Sequence, residues 1–205
     1  MSVYRLSPPR KFNWWFRTTA NNDWLLANAT PAQQPSVQSV VINDGHVQRS
    51  KINSITVTFD HSVVLDAGAI TLSGRDGAGE GTSLAWANPA GDGRTWVVTF
   101  SGTPIVGGSL ADGVYDLRVV ASAVHSGPGT AMAADYATKF HRLFSDSDGD
   151  GDSDNGDMAR LRPTYGKVAG DPNYVWYWDY NNDGDVDNAD VAQIRSRRSI
   201  VYMNY

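Results

Sequence analysis

Asp146-Ser147-Asp148-Gly149-Asp150-Gly151-Asp152-Ser153-Asp154-Asn155-Gly156-Asp157 and Asp179-Tyr180-Asn181-Asn182-Asp183-Gly184-Asp185-Val186-Asp187-Asn188-Ala189-Asp190 are two stretches that align without a gap at an offset of 33 residues. Each carries oxygen-bearing side chains at positions 1, 3 and 5, glycine at 6 and a carboxylate at 12. That is the spacing with which a tight loop wraps a hard cation such as calcium. Alternate residues of such a loop point inward, so three odd positions converge on one point, and glycine permits a turn that a side chain would strain. Position 7 contributes its backbone carbonyl, and position 9 works through water.

Charge makes the same argument. Asp146, Asp148, Asp150 and Asp157 place four formal negative charges around the first loop. They repel one another strongly unless a divalent cation sits among them. The second loop has three, because Asn181 is neutral.

After each loop come apolar residues three apart, Met158 and Leu161, then Val191 and Ile194. Each pair predicts a helix leaving its loop. Pro163 is expected to end the first after about two turns, since proline removes an amide donor and disfavours helical geometry before it. The second is expected to run to Arg198. No incoming helix precedes either loop. Residues 136–144 read as a strand running into Asp146, and Tyr174-Val-Trp-Tyr-Trp178 is short and aromatic after Asp171-Pro172.

Two loop-plus-exit-helix repeats with Asp at position 12, an apolar residue at 13 (Met158, Val191) and no incoming helix resemble a type I dockerin. The resemblance spans residues 145–199. It implies two calcium ions, with Asp146, Asp148, Asp150, Asp152 and Asp157 as ligands of one, and Asp179, Asn181, Asp183, Asp185 and Asp190 of the other. Asp152 and Asp185 would use their backbone oxygens. It further implies exit helices that dock onto a cohesin-like scaffold domain or cell-surface protein, attaching polysaccharide-degrading enzymes or other surface proteins. Two features depart from the family pattern. Asn155-Gly156 and Asn188-Ala189 stand at positions 10 and 11, where small hydroxyl residues are usual. Position 8 is usually apolar and bridges to the other loop; Val186 fits, and Ser153 does not.

Upstream, from residue 37 to 144, short alternating runs are divided by Gly, Asp, Asn and Pro. Ile55-Thr-Val57-Thr-Phe59 alternates cleanly, with Ile70-Thr-Leu72, Trp96-Val-Val98-Thr-Phe100, Tyr115-Asp-Leu117-Arg-Val119 and Tyr136-Ala-Thr138-Lys-Phe140 nearly so. Such runs predict strands. Seven or eight of them, with turn signals at Asp92-Gly93 and Asp112-Gly113, predict a sandwich. Leu110-Ala-Asp112-Gly113-Val114-Tyr115 resembles the tyrosine corner of immunoglobulin-like sandwiches, in which a phenol ties a strand start to the upstream backbone. The expected fold class is therefore mainly β: an Ig-like β-sandwich over residues 35–144, then a small α-helical, dockerin-like module with two calcium loops over 145–205. Residues 1–34 show no sustained period and read as a leader or the remnant of an upstream domain, closing in the linker Ala32-Gln33-Gln34-Pro35. Asn28-Ala29-Thr30 fits a glycosylation sequon.

Composition bounds the function. The 205 residues contain no cysteine, which excludes thiol catalysis and zinc-thiolate sites and leaves calcium as the available staple. Residues 1–145 carry eleven Lys plus Arg against ten Asp plus Glu, and residues 146–205 carry six against twelve, so the net charge of -5 comes from the tail. An acidic tail argues against nucleic acid as a partner. No apolar run approaches the roughly 18 residues needed for a membrane span. Nor is a secretory signal visible, since the run at residues 12–16 is too short for an apolar core of about 7 to 15 residues. The expectation is a fragment, or a misplaced start, of an extracellular or cell-surface protein.

Catalytic machinery is sparse. The one glutamate, Glu80, lies in the turn Gly77-Ala-Gly79-Glu80-Gly81, whereas a glycosidase needs two opposed, rigid carboxylates. His46, His61, His125 and His141 read as isolated. Gly107-Gly-Ser109-Leu-Ala111 loosely matches a nucleophile elbow without its α/β setting. The expected function is a calcium-binding, non-catalytic extracellular module that docks proteins and meets polysaccharide only indirectly. The alternative is a calcium-stiffened C-terminus of a larger adhesin or secreted hydrolase with no cohesin partner. A third class is a carbohydrate-binding module using Trp14, Trp15, Trp86 or Trp96.

Overall fold

Period-two alternation organises most of the chain in the computed structural model, which describes residues 13–17, 24–28, 33–127 and 129–202. In chain order the strands are β1 (Asn13–Arg17), β2 (Trp24–Asn28), β3 (Val37–Ile42), β4 (Ser54–Phe59), β5 (Val63–Leu65), β6 (Ile70–Gly74), β7 (Ser83–Ala87), β8 (Thr95–Ser101), β9 (Gly113–Val119), β10 (Val124–Ser126), β11 (Thr130–Ala131) and β12 (Tyr136–Arg142). Two helices follow, α1 (Asn155–Leu161) and α2 (Asn188–Arg197). The chain is mainly β, and every strand pairing is antiparallel.

Two sheets, ordered β3-β4-β8-β7 and β12-β9-β6, share one apolar core, an arrangement consistent with a β-sandwich. The first contributes Ile55, Val57, Phe59 and Val98, and the second Ile70, Tyr115, Leu117, Val119 and Phe140, all buried. The alternate residues Ser54, Thr56 and Thr58 are only half-buried, so the sequence pattern and the burial pattern coincide. Each such side chain contributes about 1.5–3 kcal/mol by leaving water. A third small sheet, β11-β10-β5, accounts for the strands beyond the seven or eight expected; its members are two or three residues long, too short for alternation to register. Tyr115 forms the expected corner, its hydroxyl donating to the Ala111 carbonyl at 2.8 Å while its ring stacks on Phe140 at 5.5 Å.

Within residues 1–34, where no period is legible in the sequence, β1 and β2 pair as an antiparallel ladder. Trp14-Trp15-Phe16 and Trp24-Leu25-Leu26 are uniformly apolar over three residues, so they show no period despite high strand propensity. The sequon's Ala29 and Thr30 and residues 1–12 lie outside the described residues. Trp86 and Trp96 pack against the sandwich core. Ser109 of the elbow-like motif is fully buried, accepting from the Ile52 amide at 2.9 Å.

Residues 144–202 build a second core from Phe144, Leu161, Trp178, Val186, Val191 and Ile194, with Met158 half-buried beside it. The apolar residues three apart do face inward. Helix α1 ends at Leu161, two residues before Pro163, and α2 ends at Arg197. The sandwich grips this module along one short segment. The Arg49 amide donates to the Asp146 carbonyl at 2.8 Å, and Ser50 Oγ donates to the Tyr177 carbonyl at 2.8 Å. The fully buried Lys51 ammonium donates to the Asp179 carbonyl. Position 1 of both loops is thus anchored within three residues of one another on the sandwich.

Candidate metal centre

The two loops share local geometry as well as sequence. At position 6, Gly151 has φ 91° and Gly184 φ 96°, values that L side chains rarely adopt. A Cβ on Gly151 would also lie 2.8 Å from the Tyr202 carbonyl oxygen. Each glycine amide donates at 3.0 Å to Oδ2 of its position-1 aspartate, Asp146 or Asp179. Position 9 caps the exit helix. Asp154 and Asp187 accept from Gly156 and Ala189, while Asp157 and Asp190 accept from the amides of Asp154 and Asp187 at 3.0 and 2.8 Å. These are reciprocal capping boxes with aspartate in both roles. Position 12 also receives the position-2 amide, from Ser147 and Tyr180 at 2.8 and 2.7 Å.

Three groups of carboxylates lie with oxygens within 4.8 Å of one another: Asp146, Asp148 and Asp157; Asp152, Asp154 and Asp157; and Asp185, Asp187 and Asp190. These groups could hold a metal ion. Oδ1 of Asp148, Asp152, Asp179 and Asp185 is buried with no hydrogen-bond partner. A buried carboxylate oxygen without a donor is costly, and a hard cation is the partner that an all-oxygen donor set fits. Asp179 is fully buried, so water cannot serve it from bulk.

The predicted ligands are only partly brought together. Asp179 is fully buried yet belongs to none of the three groups, and Asp150, Asn181 and Asp183 are exposed and belong to none either. Asp150 and Asp183 instead accept from the amide two residues on, at 3.1 and 3.2 Å, the turn that aspartate makes with its own backbone. Asp152 and Asp185, expected to act through backbone oxygens, each bring a side-chain carboxylate oxygen within 4.8 Å of those at positions 9 and 12. Asp148 pairs with Arg160. In the second repeat the corresponding residues are Asn181 and Gln193, so charge at position 3 and charge twelve residues later vary together.

Electrostatics follows from this crowding. Burial pushes the Asp157 and Asp190 carboxyls above their ordinary values, against amide donors that pull down. Burial and then neighbouring carboxylates raise Asp152 and Asp185 too.

The bridges at the loops run to the far end of the other repeat. Val168 forms an antiparallel bridge with Asp185, and Val201 with Asp152, so the segment after each exit helix closes on the other repeat's loop. Val186 is fully buried; its counterpart Ser153 is buried with its hydroxyl bonded to Ser145 Oγ, which replaces apolar contact by a polar pair.

Two residues escaped the sequence reading. His141, apparently isolated, is buried with Nε2 2.5 Å from Asp146 Oδ2. Tyr174 donates its hydroxyl to Asp179 Oδ2 at 2.7 Å. Burial and that carboxylate push the Tyr174 phenol up, keeping it a neutral donor. Both lie five residues before position 1, so extending the alignment upstream of the loops would have paired them. The other histidines also contact aspartates: His46 with Asp44, His61 with Asp60 and His125 with Asp66.

No protein-family model matches the chain, and no curated protein matches it. Among the described residues no helix is long and apolar enough to cross a membrane.

Proposed function

We propose that this chain is a calcium-binding, non-catalytic extracellular module, dockerin-like in its tail and Ig-like in its sandwich, which binds two calcium ions and docks onto a cohesin-like scaffold or cell-surface protein. The observation that carries calcium is the unpartnered Oδ1 of fully buried Asp179, at position 1 of a loop whose ligand spacing is repeated 33 residues away. Asn155 and Gly156 of α1, with Arg162 and Tyr165 just beyond its end, are exposed and offer a surface for docking. Any link to polysaccharide breakdown runs through the partner. Calorimetric titration is expected to give two calcium ions per chain, with dissociation constants of roughly 0.1–1 mM for an extracellular module. The Asp146→Ala, Asp179→Ala double variant is expected to bind none; full binding by it removes the ligand assignment. A secreted protein retained with calcium and released by EDTA would support docking, and no such retention would end it.

One observation favours a second reading, in which calcium only stiffens the end of a larger adhesin or hydrolase. Arg197, at the end of α2, pairs with Asp112 of the sandwich at 2.5 Å and lies 5.0 Å from the Tyr180 ring centroid, so part of the exit helix is engaged by its own chain. Failure of the pull-down with two calcium ions still bound selects this reading.

A further inference from the structure

We propose that His141 and Tyr174 are matched positioning residues, each fixing the position-1 aspartate of one loop through Oδ2 so that the carboxylate is held in one orientation for the ion. The inference rests on reading the loops as calcium sites and goes beyond it, because neither residue belongs to the loop motif.

The second loop shows the device most completely. Asp179 Oδ2 receives two donors, the Tyr174 hydroxyl at 2.7 Å and the Gly184 amide at 3.0 Å. Oδ1 of the same fully buried carboxylate receives none. Two donors on one oxygen stop the carboxylate rotating about its last bond, and Oδ1 is the oxygen left without a donor. In the first loop Asp146 Oδ2 receives His141 Nε2 at 2.5 Å and the Gly151 amide at 3.0 Å. Here Oδ1 is held by the Gly149 amide at 2.5 Å. A carboxylate has no proton to give, so the imidazole nitrogen donates. The two positioning groups differ in chemistry but hold the same place, five residues before position 1 and 33 apart.

Their origins differ. His141 belongs to β12, a strand of the β12-β9-β6 sheet, and is 1% exposed. Tyr174 packs on the tail's own core. The first loop therefore borrows its positioning group from the sandwich, whereas the second finds it within the module. Each donor stands where an incoming helix would otherwise fix the start of the loop. Groups that orient a metal ligand from behind typically change metal affinity by about 10–100-fold when removed.

The test is calcium titration of the full chain followed by calorimetry and by the amide signals of Gly151 and Gly184, one reporter per loop. Tyr174→Phe removes one oxygen and is expected to weaken the Gly184 transition about tenfold or more while leaving that of Gly151 in place. His141→Leu is expected to do the reverse, and His141→Gln, which restores an N–H donor, to recover most of the loss. Wild-type titration of both loops in Tyr174→Phe and His141→Leu overturns the proposal, as does equal weakening of both loops by either variant, which marks a folding role. A wild-type chain that takes up no calcium overturns the underlying calcium reading instead, and this inference with it.

Discussion

Ser199 holds a backbone φ of 73°, the same left-handed value as Gly166, the residue 33 positions before it. Both sit just beyond an exit helix, and both amides donate to position 8 of the other repeat's loop, Ser199 to the Ser153 carbonyl at 3.4 Å and Gly166 to that of Val186 at 2.8 Å. The turn is needed twice, and only one copy has the residue suited to it. A left-handed residue other than glycine costs roughly 1–2 kcal/mol. Ser199 is exposed, so its side chain brings little burial in return. Glycine loses more backbone freedom on folding, about 0.5–1 kcal/mol. Ser199→Gly is therefore expected to stabilise the protein by about 0.5–1 kcal/mol. At roughly 2–4 °C per kcal/mol for a chain of this size, differential scanning calorimetry should resolve the rise in Tm; an unchanged or lower Tm contradicts the strain argument.

The duplicated loops were legible in sequence because oxygen-bearing residues at fixed spacing within twelve positions are a local pattern, and the shared turn at Gly151 and Gly184 is their structural counterpart. Exit helices followed from Met158, Leu161, Val191 and Ile194, and five strands from alternation, since both periods are set by backbone geometry. What could not be read is what joins distant parts. Lys51 meets the Asp179 carbonyl across 128 residues, and no periodicity encodes such a meeting. His141 was hidden for a different reason. It lies in an alternating strand, where an inward histidine looks like any other core position until the loop it serves is in place. The crossed bridges of Val168 and Val201 were missed because each joins a loop to the far end of the other repeat.

Asp60 gives the sandwich an acid-sensitive clasp. Its carboxylate accepts from the Ser36 amide and hydroxyl at 2.8 and 2.7 Å, while the Asp60 amide donates to the Ser36 carbonyl at 3.1 Å. Burial pushes the carboxyl up, but the Ser36 donors and His61 outweigh it and hold the pKa at about 2, against an ordinary 3.8. A depressed acid contributes stability that is fully present above its unfolded pKa and is lost as pH falls through the folded value. The expected window is thus between about 4 and about 2. Ser36→Ala should move the Asp60 titration, followed by carboxyl-carbon NMR, back towards the ordinary value and start acid unfolding at higher pH. An Asp60 midpoint unmoved by Ser36→Ala would show that the Ser36 hydroxyl takes no part in holding it down.

Asp112 is the remaining test, because it joins sandwich to tail through two arginines. Its Oδ1 accepts from Arg142 Nη1 at 2.5 Å and from the Phe144 amide at 2.8 Å, and its Oδ2 accepts from Arg197 Nε at 2.5 Å. Arg142 is 2% exposed, with its Nε unpartnered. Burial lowers the Arg142 pKa, and Asp112 is the main force opposing that. Both guanidinium groups also lie over the Phe144 and Tyr180 rings, at 5.0 to 6.0 Å from the centroids. Asp112→Asn keeps the shape and the acceptor for Phe144 but leaves Arg142 buried without a counter-charge. Removing one partner of a buried ion pair costs roughly 3–5 kcal/mol, and chemical denaturation should show a loss of that order with or without calcium. Because the cost comes from the stranded charge, Asp112→Asn combined with Arg142→Met is expected to recover much of it. A double variant as unstable as Asp112→Asn alone would mean that the junction depends on the shape of these side chains and not on their charge.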